Sequence, residues 1–273
     1  MKKLLIGFGA LALALVVMPM FAAFEAHVVN VTATIENALS VPVKPIQFGT
    51  VFPQETLAET LDITLSQSFK DQNRVDQVSY FIRQKPKCAW RWQINGVWNI
   101  DQGSTQSGHV DDAGVVTCPD AVNVPENPNG TPPTGDGIPD NATWGQLPLL
   151  CPYISKHSEA IRDTQGNITG YEDGALNSFH QPWTVVPSSS LDWNDVDGTL
   201  TTGNDETDTW TIDLAVPCFG GFCAQDWAQF VKDVSGDQNI NPSLYTQSKD
   251  NEHKVFGCDL WVEVSDVIST ATE

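Results

Sequence analysis

Apolar and polar residues alternate with a period of two along several stretches of this chain. Val29, Val31, Ala33 and Ile35 share one face while Asn30, Thr32, Thr34 and Glu36 share the other, so residues 27–39 read as a strand. Leu61, Ile63 and Leu65 alternate with Asp62, Thr64 and Ser66, and Val78, Tyr80 and Ile82 with Ser79, Phe81 and Arg83. Trp210, Ile212, Leu214 and Val216 alternate with Thr211, Asp213 and Ala215, and Leu260, Val262 and Val264 with Trp261 and Glu263. Each pattern gives one buried and one wet face, as in antiparallel sheets. Helical spacing is scarce. Trp227, Phe230, Val231 and Val234 fit two or three turns over 226–234, and residues 153–163 fit another short helix.

The predicted fold class is therefore mainly β: an antiparallel β-sandwich, jelly-roll or immunoglobulin-like. Residues 101–208 interrupt it. They are rich in Gly, Pro, Asn, Asp, Ser and Thr, and read as a long loop-rich insertion. Loops of that length are rare in compact domains unless stapled or carrying short strands. The region therefore either folds as a lobe held by Cys118 and Cys151 or carries short extra strands, with Trp144, Trp183 and Trp193 available as a small core.

The first residues follow a different pattern. Met1-Lys2-Lys3 is a basic head and Leu4 to Phe24 an almost unbroken apolar run. That is the arrangement of a secretory signal, predicted at 1–26 with Ala23 or Ala26 before the cut. Gly7, Gly9 and Pro19 favour removal over retention as a membrane anchor. Residues 27–273 then form a single domain in an oxidising compartment, secreted or at the cell surface, touching a membrane only if the leader is retained. Cys88, Cys118, Cys151, Cys218, Cys223 and Cys258 all lie in that part, which predicts three disulfides. The pairing stays open. Cys218 and Cys223 can close on each other around Gly220-Gly221, or Cys218 can bridge to Cys258 if their strands are neighbours.

Charge narrows the partners. The chain has 14 basic and 34 acidic residues, a net charge of −20; removing Lys2, Lys3 and Glu25 leaves 12 and 33, or −21. Such a surface repels nucleic acid and anionic lipid, and favours divalent cations and basic partners. Gly135-Asp136-Gly137-Ile138-Pro139-Asp140 is similar to the calcium loops of thrombospondin type 3 repeats. Asp136 and Asp140 are candidate ligands there, and Asp192, Asp195 and Asp197 form a second acidic stretch. A solvated acidic turn is the simpler explanation for each. A third stretch, Asp233 to Asn241, nears the EF-hand pattern but carries Gln238 at the turn glycine and Leu244 at the final acid.

Other chemistry is not evident. There is no HExxH, nucleophile elbow, phosphate loop or dinucleotide fingerprint, so no catalytic residue is assigned and a non-enzymatic role is expected. Trp90, Trp92 and Trp98 share strand parity. Exposed, they would stack on sugar rings; buried, they form an aromatic core strand beside Cys88.

The leader, Ala33-Thr34-Ile35-Glu36-Asn37, the strand at Leu61 to Leu65 and the late Cys258-Asp-Leu-Trp-Val-Glu-Val264 together resemble the TasA/camelysin group of exported bacterial matrix-fibre proteins. Ile46-Gln-Phe-Gly-Thr-Val51 with Pro53-Gln-Glu55 is similar to the opening of immunoglobulin-like surface domains. The first resemblance implies a fibre subunit whose partner is itself or other envelope or matrix components. The six cysteines and the insertion depart from that family's pattern. The strand after the leader supports assembly independently: once freed, Val29, Val31, Ala33 and Ile35 can insert into a neighbour's sheet, or the strand pairs within its own sandwich. The expected function is a structural matrix or filament protein. Its alternatives are a calcium-dependent or carbohydrate-binding surface module and a secreted hydrolase.

Overall fold

The computed structural model describes residues 34–42, 44–72, 74–121, 131, 138–187 and 190–269. The chain divides into Met1–Ile35 and one compact unit, Glu36–Glu273. The leader at 1–26 and most of the strand predicted at 27–39 lie outside the described residues. Of that strand's described part, residues 34–37 form no strand, and pairing begins only at Leu39.

The compact unit opens with β1 (Leu39–Ser40), β2 (Thr56–Leu65), the single turn α1 (Gln67–Lys70) and the long β3 (Gln77–Ile94). Short strands follow: β4 (Val97–Ile100), β5 (Gln106–Ser107), β6 (His109–Val110), β7 (Val116–Thr117), β8 (Thr143–Gln146), β9 (Ile154–His157), β10 (Ala160–Arg162), β11 (Ile168–Tyr171), β12 (Ala175–Leu176), β13 (Trp183–Val186), β14 (Ser190–Trp193) and β15 (Val196–Thr201). The chain then runs through β16 (Thr207–Ala215), α2 (Trp227–Ser235) and β17 (Cys258–Ile268).

Two antiparallel sheets carry this mainly β fold. The first has the order β1-β2-β16-β9-β12. In the second, β15 and β17 flank the first half of β3, while its second half pairs with β4, β5 and β8. The predicted alternation sets which side chains meet. Leu61, Ile63 and Leu65 of β2, and Trp210, Ile212 and Leu214 of β16, share one core with Val78, Tyr80 and Ile82 of β3. Burying a residue of that size stabilises by roughly 1.5–3 kcal/mol. The helix expected over 226–234 forms as α2, burying Trp227 and Val231 and ending at Gly236, whose φ of 72° makes the left-handed cap.

Two polar arrangements are built into this core. At one place Lys156 Nζ of β9 donates to Ile82 O of β3 at 2.9 Å, and Gln84 Nε2 of β3 donates to Ile154 O of β9 at 3.3 Å. These bonds tie one sheet to the other. Burial pushes the Lys156 amine down to about 7. At the other, Trp210 Nε1 donates to Tyr80 Oη at 2.7 Å, and the Tyr80 hydroxyl donates to the buried Asp208 carboxylate. Burial raises Asp208 to about 7, with the Asp173, Asp205 and Glu159 charges adding to it. Gly198 of β15 faces Tyr80 directly, and any Cβ there would fall inside the tyrosine ring's van der Waals envelope.

The structure corrects several expectations. Residues 101–208 carry short extra strands and do not form a lobe of their own: they supply β9 to the first sheet and β15 to the second. Cys118 pairs with Cys88 and Cys151 with Cys258, so no Cys118–Cys151 staple closes a lobe. Cys218 pairs with Cys223. The alternative bridge from Cys218 to Cys258 does not form, because Cys258 is taken by Cys151. The helix expected over 153–163 is instead a 3-10 turn at Cys151–Tyr153 followed by β9 and β10. Asn95 and Gly96, with φ of 51° and 82°, turn β3 into β4 as a tight hairpin. That turn resets the parity of Trp98, which pairs with Gln93 and so lies on the face opposite Trp90 and Trp92. Trp90 is buried against Trp144, its partner on β8, with ring centroids 5.7 Å apart.

Candidate functional site

β17 is an edge strand of the second sheet whose core-facing side is partly open to solvent. Among the described residues it pairs along its length with β3 only, and its other side meets a single bridge, Leu149 to Gly257, just before the strand begins. The register places Leu260 opposite Gln84, Val262 opposite Ile82, Val264 opposite Tyr80 and Val267 opposite Val78. All four β3 partners are fully buried, so these β17 side chains lie on the core-facing side of the sheet. Yet Val264 is 45% and Val267 42% exposed. The core is uncovered along this margin, beside a row of backbone groups that no strand satisfies among the described residues.

The opposite face of β17 is polar and fixes its register. Lys87 lies 3.0 Å from Asp259, and Glu263 reaches Arg83 at 3.6 Å and Lys85 at 3.4 Å. Lys85 Nζ sits 3.2 Å above the Trp261 ring, and Trp261 Nε1 donates to Ser107 Oγ at 2.7 Å. Each partly exposed ion pair contributes only about 0.2–1 kcal/mol. Together they forbid a one-residue slip, which would carry Val262 and Val264 to the wet side. An extra residue, Ser265, bulges the strand between Val264 and Asp266.

The residues singled out in the sequence fall as follows. Val29, Val31 and Ala33 lie outside the described residues, and Ile35 is 94% exposed. Asp136 also lies outside them. Asp140 is exposed in a turn, Asp192 is exposed on β14 opposite Thr184, and Asp197 is exposed on β15 opposite Phe81. Asp195 pairs with Arg83 at 3.4 Å. Among the described residues no group of three or more His, Cys, Asp or Glu side chains is placed to hold a metal ion. The acids at 159, 173, 205 and 208 are electrostatically close, and the Tyr80 hydroxyl donates to Asp208. Asp173 and Asp205 are raised as well, chiefly by burial.

A second site comes from residues the alternation pattern did not flag. Ser155 and His157 of β9 and Asp213 of β16 point away from the core, since their neighbours Ile154, Lys156, Ile212 and Leu214 point into it. Asp213 Oδ2 accepts from Ser155 Oγ at 3.2 Å and from His157 Nε2 at 2.6 Å. The serine therefore donates to the carboxylate and not to the imidazole. That order leaves no base to activate the hydroxyl as a nucleophile.

Three disulfides fit an oxidising environment, and among the described residues no helix is long and apolar enough to cross a membrane. No protein-family model matches the chain, and neither the curated proteins nor the solved structures contain a match.

Proposed function

We propose that the mature chain is an exported, non-enzymatic structural protein of a cell surface or extracellular matrix that assembles by N-terminal strand exchange. The observation that carries this is the β17 margin, where Val264 and Val267 face the core side yet stay open to solvent. Residues 27–36 of a second copy are the matching strand. They are ten residues long against the eleven of β17, and they offer Val29, Val31, Ala33 and Ile35 at the alternation that a sheet margin accepts. Added there, the strand satisfies the unpaired backbone groups and covers the two valines. The leader and the resemblance to TasA/camelysin proteins point the same way, and so do the paired cysteines.

The test is deletion of residues 27–36 from protein lacking the leader, followed by light scattering and electron microscopy. The intact arm gives polymers that grow with concentration; the truncated chain stays a folded monomer. A monodisperse monomer that retains its arm would overturn the proposal.

A further inference from the structure

On the outer face of the first sheet, Ser155, His157 and Asp213 form one wall of a cleft of about 280 Å³, completed by Tyr171, Asn177 and Ser178. We propose that this cleft binds a neutral saccharide ring, a role independent of assembly at β17.

The deciding group is Ser178. It is 2% exposed, it lines the cleft, and its Oγ has no hydrogen-bond partner among the described residues. A buried hydroxyl left unpaired is destabilising, so a group arriving in the cleft that pairs with it recovers that energy. The backbone holds Ser178 there. The next residue, Phe179, has a φ of 62° and donates its N–H to Pro152 O at 2.7 Å. Its ring is locked edge-on among Tyr153, Trp227, Phe230 and Tyr245. The backbone at Ser178 is therefore fixed beside the cleft by that cluster.

The remaining groups select the ligand's chemistry. Both bonds to Asp213 converge on Oδ2, which leaves Oδ1 an acceptor without a protein partner among the described residues. Asn177 uses its Nδ2 on Ser235 O at 2.9 Å, so its Oδ1 is a second acceptor. The ligand must donate to these oxygens and must both donate to and accept from Ser178, which is what an alcohol does. An anion is repelled by Asp213 and by a chain of net charge −20. A cation satisfies the carboxylate but cannot accept from the serine. Tyr171 and His157, with ring centroids 5.1 Å apart, add an aromatic wall suited to the C–H face of a pyranose. The volume suits one ring, being at the lower end of the range for small-molecule pockets.

Saturation-transfer NMR with the methyl glycosides of glucose, galactose, mannose and N-acetylglucosamine tests this on the protein lacking its leader. At least one glycoside at millimolar concentration should receive saturation at its ring protons. Asp213→Leu should weaken that binding by about tenfold or more, and Ser178→Ala should weaken it to a lesser degree while melting no lower than wild type, because it removes an unpaired buried hydroxyl; both should leave polymer formation unchanged. Arginine methyl ester should not compete. Silence from all four glycosides, equal binding by Asp213→Leu, or displacement by arginine methyl ester would each overturn the proposal. Loss of polymers without loss of saccharide binding bears only on β17, so the two ideas fail separately.

Discussion

β15 and β17 lie on either side of the same six residues of β3, Gln77 to Ile82, yet they end in opposite conditions. On the β15 side, Val196, Gly198 and Leu200 are buried. On the β17 side, Val264 and Val267 are nearly half exposed. The difference lies in what the chain does next. After β15 it turns through residues 202–206, held by Thr201 N–H to Asp205 O at 2.6 Å, and enters β16 of the other sheet. That crossing brings Asp208 and Trp210 onto Tyr80 and closes the margin with a polar clamp. After β17 no such crossing is seen among the described residues. The core side of a sandwich margin is sealed where the chain passes from one sheet to the other.

The largest effect should come from the one staple that anchors the open margin. Cys151–Cys258 ties the start of β17 to the segment leading into β9 and closes a separation of 107 residues. Replacing both cysteines with alanine should cost about 3–5 kcal/mol in urea unfolding. Removing Cys218–Cys223, which spans a separation of only five, should cost well under half as much. Equal losses would show that the length of chain each bridge closes does not set what it contributes.

The closed margin breaks next. Gly198→Ala places a methyl against the Tyr80 ring and should destabilise by about 1–3 kcal/mol. The companion Tyr80→Phe removes the phenol without crowding, orphans Asp208 and Trp210, and should cost about 1–3 kcal/mol. A neutral Gly198→Ala would mean that β15 is free to shift and that the clamp does not seal this side.

The sign of the pH dependence sharpens the same contrast. Asp208 sits near 7 in the folded protein against 3.8 in the open chain. Its contribution is therefore present below about pH 4 and is lost as pH rises toward 7. Wild type should lose stability relative to Asp208→Asn across that window, on the order of 2 kcal/mol. Lys156, down to about 7 from 10.5, behaves oppositely: its contribution is present above about pH 10.5 and is lost as pH falls toward 7. Wild type should therefore gain on Lys156→Met as pH rises from 7 to 10.5. Denaturant midpoints of the three proteins across both windows read the signs, and a pH-independent difference from either variant would contradict the burial of that group.

These elements also show what was legible beforehand. β2, β16, the first half of β3 and the inward positions of β17 were readable because three or four apolar side chains recur there at every second residue. α2 was readable from Trp227, Phe230, Val231 and Val234. β9 was not, since the inward position after Ile154 is Lys156, whose charge hides it from any pattern of apolar residues. β15 was missed for the complementary reason: its middle inward position is Gly198, left bare for Tyr80. Asn95-Gly96 was a hairpin signal in plain view, and it alone settles the face of Trp98. The cleft at Asp213 draws on β9, β11, the segment after β12, and β16. Only the folded topology brings them together, and no spacing along the chain marks them.

The smallest effect on stability is the most decisive for assembly. Val264 already spends nearly half its surface in water, so Val264→Lys removes little burial and should change the unfolding free energy by no more than about 0.5 kcal/mol. The same lysine sets a charge where an incoming strand must lay its apolar face, and inward charges of this kind are how natural sheets block edge pairing. Polymers should vanish while the monomer melts as before. Asp266→Lys, one residue past the bulge and on the wet face, changes the charge in the same direction at the same end of the strand and should leave polymers intact. If both variants polymerise normally, β17 is not the accepting margin. If both fail, charge and not the exposed core face governs association, and the asymmetry between β15 and β17 has no bearing on how copies of this chain meet.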